Sequence, residues 1–324
     1  FCHSEWLLGH PLFIGRYSYN KSEKTYICIE PQNITTMKIM KQAIAVAAVA
    51  LTVMTGCSGN ASKKAETTMS ENKETTMEGV KTIEIDGMKV TWIQDNTQER
   101  LMERTLFADA SDALIDSLGL QKGIPATISV FVLEKDGKNI LFDAGNGKDD
   151  SRLTAGLKAI NLTANDIDFI YLTHFHGDHI GGMLKGDSAV FTKAEVYAPQ
   201  TEYDAWLKNM SADKNAMQRK MDKAYAGHMH LFNPGDTLPC GITAIDAAGH
   251  TPGHTAYMTG KLLVVGDLMH GAALQIPHPE ICAAYDMDKE KAIQTRKQLL
   301  EYAKTNKLIM AGMHLPAPAF LSFE

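Results

Sequence analysis

The sequence predicts an α+β fold in which helices cover β-sheets, and three observations carry that prediction. Residues 81–93 (KTIEIDGMKVTWI) alternate around Asp86-Gly87, and an Asp-Gly pair between alternating runs is a strong hairpin signal. Residues 127–133 (TISVFVL) and 139–142 (NILF) form a second hairpin across the turn at Asp136-Gly137, ending in Asp143-Ala144-Gly145-Asn146-Gly147. Later, short apolar strands alternate with helical spacing, as expected of strands covered on both faces. The strands are 169–172 (FIYL), 242–245, 262–265 and 308–310.

Between these runs the pattern is helical. Residues 101–118 are expected to be helical in part, 151–160 have helical spacing, 177–184 open a helix after FIYL, and 200–226 read as one or two amphipathic helices. Residues 288–305 form a clear helix between the last two strands.

The chain has 324 residues, 44% hydrophobic and 22% charged, enough for one large or two small domains with a sizeable core. Its 32 Lys and Arg against 38 Asp and Glu leave a net charge of −6, which argues against a nucleic-acid partner. Five cysteines, none in a CxxC pair, exclude a disulfide framework and a thiolate zinc ribbon. Of the 12 histidines, ten lie between His174 and His314, so imidazole chemistry is expected there.

Residues 1–36 show no sustained periodicity and are read as an upstream segment outside the mature protein. Residues 37–56 carry Lys38, Lys41 and an apolar run at 43–54, followed by Thr55, Gly56 and Cys57. That is the layout of a secretory signal peptide, too short to span a bilayer comfortably. It resembles a bacterial lipoprotein signal, which implies export, a lipid anchor at Cys57 and a periplasmic or outer-membrane location. Residues 57–79 are polar and read as a tether, because such a segment cannot bury enough surface to offset its ordering entropy. The catalytic domain is then 80–324.

The chemistry concentrates after FIYL, in Thr173-His174-Phe175-His176-Gly177-Asp178-His179. An extended stretch aims His174 and His176 the same way, and Asp178 and His179 follow at the turn into a helix. Neutral imidazole and carboxylate suit zinc and similar divalent metals. His250, Asp267 and His314 each recur just after a short buried strand, the placement by which a rigid sheet focuses ligands on one point.

HxHxDH, then Gly-His, Gly-Asp and a last His resemble the metallo-β-lactamase superfamily over nearly all of 80–320. The resemblance implies a four-layer αββα sandwich with a two-metal site at one edge. It implies that His174, His176 and His250 hold one metal, that Asp178, His179 and His314 hold the other, and that Asp267 bridges both. Two Zn2+ per chain are expected, with iron or manganese as alternatives, and a metal-bridging hydroxide as nucleophile. Class B β-lactamases lack the bridging Asp, and flavin-linked di-iron members usually have Glu in place of His176. Residues 250–254 (HTPGH), 266–275 (GDLMHGAALQ), 313–318 (MHLPAP) and the helix after Tyr285-Asp286 look like the branch of lactonases, arylesterases and methyl-parathion-hydrolase-like enzymes.

The expected activity is therefore hydrolysis of a small-molecule ester or lactone, in a monomer or homodimer. The alternatives are phosphotriester hydrolysis, an iron-dependent or glyoxalase-like thioester enzyme, a class B-like β-lactamase and a non-catalytic metal-binding protein. Asp178 is expected to orient the hydroxide, and His270, three residues after Asp267, to donate a proton or contact substrate. Asp143 is expected to hydrogen-bond a ligand histidine or to steady its turn, and His254 to act structurally. His228 and His230 are read as surface turn residues, and His278 as near the pocket. Phe175, Met183, Phe191, Trp206 and Tyr225 are core or pocket lining. Cys240 and Cys282 are expected to be unpaired, and the Asn161 sequon is without consequence behind a bacterial signal. Relatives continue past the last histidine, so the end at Glu324 is expected to leave a sheet edge uncovered or a pocket wall missing.

Overall fold

The computed structural model describes residues 77–98 and 100–323. The upstream segment, the signal-like stretch, Cys57 and all but the last residues of the tether lie outside them. Chain order begins with two strands, β1 (Val80–Ile85) and β2 (Met88–Gln94), paired antiparallel across Asp86-Gly87. Both turn residues take positive φ, 51° and 76°, the twist a two-residue hairpin demands. A small lobe follows: β3 (Arg100–Met102), α1 (Asp112–Ser117) and β4 (Ile124–Ala126). Helix in this stretch is limited to a turn at Arg104–Phe107 and to α1, whose Ser111 side chain accepts from the Leu114 backbone N–H, while Leu101 lies in a strand.

The second hairpin is β5 (Ser129–Lys135) and β6 (Lys138–Phe142), again with positive φ at Asp136 and Gly137. Then come α2 (Leu153–Ala159), β7 (Phe169–Tyr171), α3 (Gly177–Ile180), the short pair β8 (Leu184–Lys185) and β9 (Ser188–Ala189), and β10 (Glu195–Pro199). The 200–226 stretch divides into α4 (Gln200–Tyr203), a π-helical turn at Asp204–Asn209 and α5 (Ala216–Ala224). Strands β11 (Met229–Phe232), β12 (Thr237–Leu238), β13 (Ile242–Asp246), β14 (Thr255–Thr259) and β15 (Leu262–Gly266) precede α6 (Ala272–Gln275) and α7 (Lys289–Asn306). The described residues close with β16 (Ile309–Gly312) and β17 (Phe320–Ser322).

The strands form two main sheets, ordered β1-β2-β5-β6-β7-β10-β11 and β12-β13-β14-β15-β16-β17. They stack face to face. Phe131, Leu133, Ile140 and Phe142 of the first sheet share one core with Ala244, Tyr257, Val264 and Met310 of the second. The alternate residues Val130, Val132 and Leu141 point the other way, against Leu153, Leu157, Met221 and Tyr225 of the helices on the outer face. On the far side, Leu299 and Ala303 of α7 close over the second sheet. This is the expected αββα arrangement: strands apolar on both faces require a layer on each side. Among the described residues no helix is long and apolar enough to cross a membrane.

Two expectations are corrected. His230 belongs to β11, not to a turn. It stacks on Tyr197 of the neighbouring strand, and Glu195 accepts from both His228 Nδ1 at 3.0 Å and His230 Nε2 at 2.6 Å. At a sheet edge such polar side chains remain solvated while the backbone pairs. The edge of β16 is also covered, because Phe320–Ser322 pairs with it antiparallel and Phe320 packs edge-on against Phe131 at 5.4 Å.

Candidate metal centre

The strand ends converge. β7 runs into His174, His176, Asp178 and His179; the loop after β13 brings His250; β15 ends just before Asp267 and β16 just before His314. Their ligand-type atoms form two groups, each within 4.8 Å: His174, His176, His250 and Asp267, and Asp178, His179 and His314. Asp267 sits between them. Its Oδ2 is 3.3 Å from His250 Nε2 and 3.2 Å from His314 Nε2, and its Oδ1 is 3.2 Å from His179 Nε2. All seven residues singled out in the sequence are thus brought together.

Four of the rings are oriented from behind. His179 Nδ1 donates to Asp143 at 2.7 Å, His250 Nδ1 to Asp286 at 3.1 Å and His314 Nδ1 to the Thr127 carbonyl at 2.7 Å. Thr173 donates its hydroxyl to Asp143, so its oxygen accepts from His174 Nδ1 at 3.0 Å. With each Nδ1 tied from behind, each Nε2 faces the centre, the nitrogen that a metal would take. Asp286 is itself held by Arg296 at 2.9 Å.

Burial lowers the pKa of His174, His176 and His250, with His176 brought to about 3, so these rings are neutral lone-pair donors at pH 7. In the other half burial is the largest single influence and opposes charge, but Asp267 and Asp143 together outweigh it at His179, and Asp267 and Asp178 together at His314. These carboxylates lift His179 well above the usual range and His314 to about 10. Burial is likewise outweighed at Asp178 and Asp267, which these histidines hold well below the usual carboxylate range. That half grips a proton tightly, and a divalent cation would have to displace that proton from the same place.

Unpaired atoms test the fit of a metal. His179 Nε2, Asp267 Oδ1 and His270 Nδ1 are buried without a hydrogen-bond partner. The first two face one another at 3.2 Å, a gap that the retained proton spans and that a cation could take over. A buried polar atom with no partner costs about 1–3 kcal/mol, so that gap calls for a proton or a cation. The nitrogen and oxygen donors suit a borderline divalent metal.

His270 is buried, with Nε2 3.1 Å from Asp267 Oδ2 and its ring stacked on His314 at 5.0 Å. His254 acts structurally: Nδ1 donates to the Ala247 carbonyl at 2.8 Å and Nε2 accepts from the Asp267 backbone N–H at 3.0 Å. His278 pairs with Glu280 at 3.3 Å, Cys240 and Cys282 are separate free thiols, and Asn161 turns at φ 60°. Phe175, Met183, Phe191 and Tyr225 are core. Trp206 alone of the five aromatic and Met candidates lines a groove of about 740 Å³, with Met210, Pro252, Met287, Asp204 and Lys214. Its ring stands edge-on to His176 at 5.5 Å. Sequence reading missed Glu202, buried beside the centre, because an acidic residue in an amphipathic helix carries no distinguishing signal. It noted Asp286 only as part of a helix start.

The sequence model of the Metallo-beta-lactamase superfamily matches residues 123–314, more than half of the chain. A hydroxyacylglutathione hydrolase of Bdellovibrio bacteriovorus is 32% identical over 157 residues, 44% of this chain and 49% of that protein, so the match spans about half of the relative's length. Among solved structures, the hydrolase AbOPH superimposes with TM-score 0.69 at 27% identity, over 77% of this chain and 94% of its own. AidC, a dizinc quorum-quenching lactonase in complex with a product, superimposes with TM-score 0.68 at 25% identity, over 75% and 92%.

Proposed function

The chain belongs to the metallo-beta-lactamase superfamily, and from that premise we propose that it is a dinuclear metal-dependent hydrolase of esters or lactones. The observation that carries the reading is the set of four imidazoles, each tied at Nδ1, that turn Nε2 toward the shared Asp267 carboxylate. His174, His176 and His250 would hold one ion, Asp178, His179 and His314 the other, and Asp267 both, with zinc as the expected metal. Such ions supply Lewis acidity and a water nucleophile at neutral pH.

The chain's own residues account for orientation and proton movement. Asp178 is 30% exposed in its side chain and stays ionised, so it can orient attacking water by accepting a hydrogen bond from it. His270 Nε2 lies beside Asp267, placed to give a proton to a departing alkoxide. The groove at Trp206 accommodates the part of the substrate that does not react. The likeness to the dizinc lactonase over three quarters of the chain supports a lactone substrate, and the likeness to AbOPH supports hydrolysis.

The test is metal content together with turnover of an aryl ester, an aliphatic lactone, an aryl phosphotriester, a thioester and a cephalosporin. Two zinc per chain with ester or lactone turnover is the expected result. Asp267→Asn should lose on the order of 100-fold or more, since even partners behind the ligands are worth about 10–100-fold. His270→Gln should lose about 100-fold with a changed pH profile; an unchanged profile removes His270 from the proton-transfer role. Bound iron with oxygen uptake, or no metal, would overturn the hydrolase reading.

A further inference from the structure

Glu202 is fully buried on α4 and faces four donors. Its Oε1 accepts from the Phe175 backbone N–H at 3.0 Å and Trp206 Nε1 at 2.6 Å. Its Oε2 accepts from Thr251 Oγ1 at 2.8 Å and the Gly253 backbone N–H at 2.9 Å. Burial pushes its pKa up, and the four donors oppose that rise. Four donors and no acceptor match a carboxylate and mismatch an amide, whose NH2 would meet two of them.

The donors come from three places. Phe175 stands between His174 and His176. Thr251 and Gly253 follow His250. Trp206 walls the groove and lies edge-on to His176. The approach is close: a Cβ on Gly253 would lie 2.2 Å from the Glu202 nitrogen, so only glycine fits there. One carboxylate therefore ties the loop after β7, in the first sheet, to the loop after β13, in the second. These loops carry the three histidines of one half of the centre. Asp178, His179 and His314 touch none of its bonds.

We propose that Glu202 is a positioning residue that sets the spacing of the His174, His176 and His250 half of the centre and leaves the other half unaffected. This rests on the metal-centre reading above. The experiment is zinc titration of the metal-free full chain against a chromophoric chelator, for wild type and Glu202→Gln. Wild type should bind two zinc per chain. Glu202→Gln should weaken one site by about 10–100-fold and leave the other within about threefold. In that background His314→Gln should remove the remaining tight zinc and His250→Gln should leave it. With a turned-over ester, kcat should fall by about the same factor while KM moves less than about threefold.

Equal weakening of both sites would overturn the proposal. So would unchanged affinity with only a lower melting temperature of the metal-free protein, the signature of a purely structural role. If Glu202→Gln does not fold, Thr251→Val removes a single donor of nearly the same shape. It should weaken the same site by about tenfold, and two unchanged sites would again overturn the proposal. A wild type that binds no zinc fails the metal-centre reading instead, which separates the two ideas.

Discussion

Asp143 lies at φ 56°, in the left-handed region that costs most side-chain-bearing residues on the order of 1–2 kcal/mol. From there its carboxylate accepts from the Thr173 backbone N–H at 2.8 Å, the Thr173 hydroxyl at 2.7 Å and His179 Nδ1 at 2.7 Å. The unusual backbone conformation thus aims one side chain at the strand end that carries His174 and at the ring of His179. Strain held at a site that orients reactive groups is consistent with a functional role. Asp143→Asn keeps the volume and removes one acceptor oxygen, so one of these donors must face an NH2 group. The expected result is zinc binding weakened by about 10–100-fold at the half that includes His179, read by chelator competition. Binding unchanged within threefold would show that Asp143 only steadies its turn.

Elements differ in how much of them the sequence discloses. The Asp86-Gly87 and Asp136-Gly137 hairpins are legible because two consecutive positive φ angles need those residues. The helix α7 is legible because Asp288 accepts from the Lys291 backbone N–H at its start. Nine strands are not, and three of these run to four residues or more. β10 begins with Glu195 and ends in Pro199, β11 carries His230, and β14 is mostly Thr and Ala, so none shows the apolar run or the alternation that marks a strand. Their pairing is dictated by neighbours far away in sequence. The 200–226 stretch, expected as one or two helices, divides where the buried Asn215 side chain donates to the Trp206 carbonyl at 2.5 Å, which competes with a regular helical ladder. The candidate ligand residues are legible because seven chemically distinctive side chains sit at strand ends, while Glu202 and Asp286 look like ordinary acidic residues.

Tyr225, at the end of α5, ties that helix to the β8–β9 hairpin, accepting from the Phe191 backbone N–H at 3.1 Å and donating to the Met183 carbonyl at 2.9 Å. Burial raises its pKa to about 12. The unfolded phenol ionises near pH 10, so between about pH 10 and 12 the unfolded state holds fewer protons and stability falls as pH rises. The gap between those two values corresponds to about 3 kcal/mol. Tyr225→Phe should cost about 1–3 kcal/mol at pH 7 through the two groups left unpaired. Its stability should also decline less steeply than wild type above pH 10, measured by urea unfolding across that range. Parallel declines in the two proteins would remove Tyr225 as the titrating group.

At the scale of the molecule, the centre is a seam between the two sheets. His174, His176, Asp178 and His179 follow β7 of the first sheet, while His250, Asp267 and His314 extend from strands of the second. Each ion held there would join both sheets, and none of its ligand sets comes from one sheet alone. The sheets also share a continuous apolar core from Ile85 to Ala319 that owes nothing to metal. Two consequences follow. The metal-free protein should remain folded, because the core persists. It should nonetheless melt at a lower temperature, because ligands that bind only the folded state stabilise it by mass action, about 2.7 kcal/mol per ion at 100 times Kd. For two independent ions that is about 5 kcal/mol, or a shift of about 10–20 °C for a domain of this size. Scanning calorimetry before and after chelation, with zinc added back, measures it. The expected trace is a single transition that drops by that amount and recovers with zinc. An unmoved transition would mean that the two sheets are joined by their apolar core alone and that the converging imidazoles hold no ion.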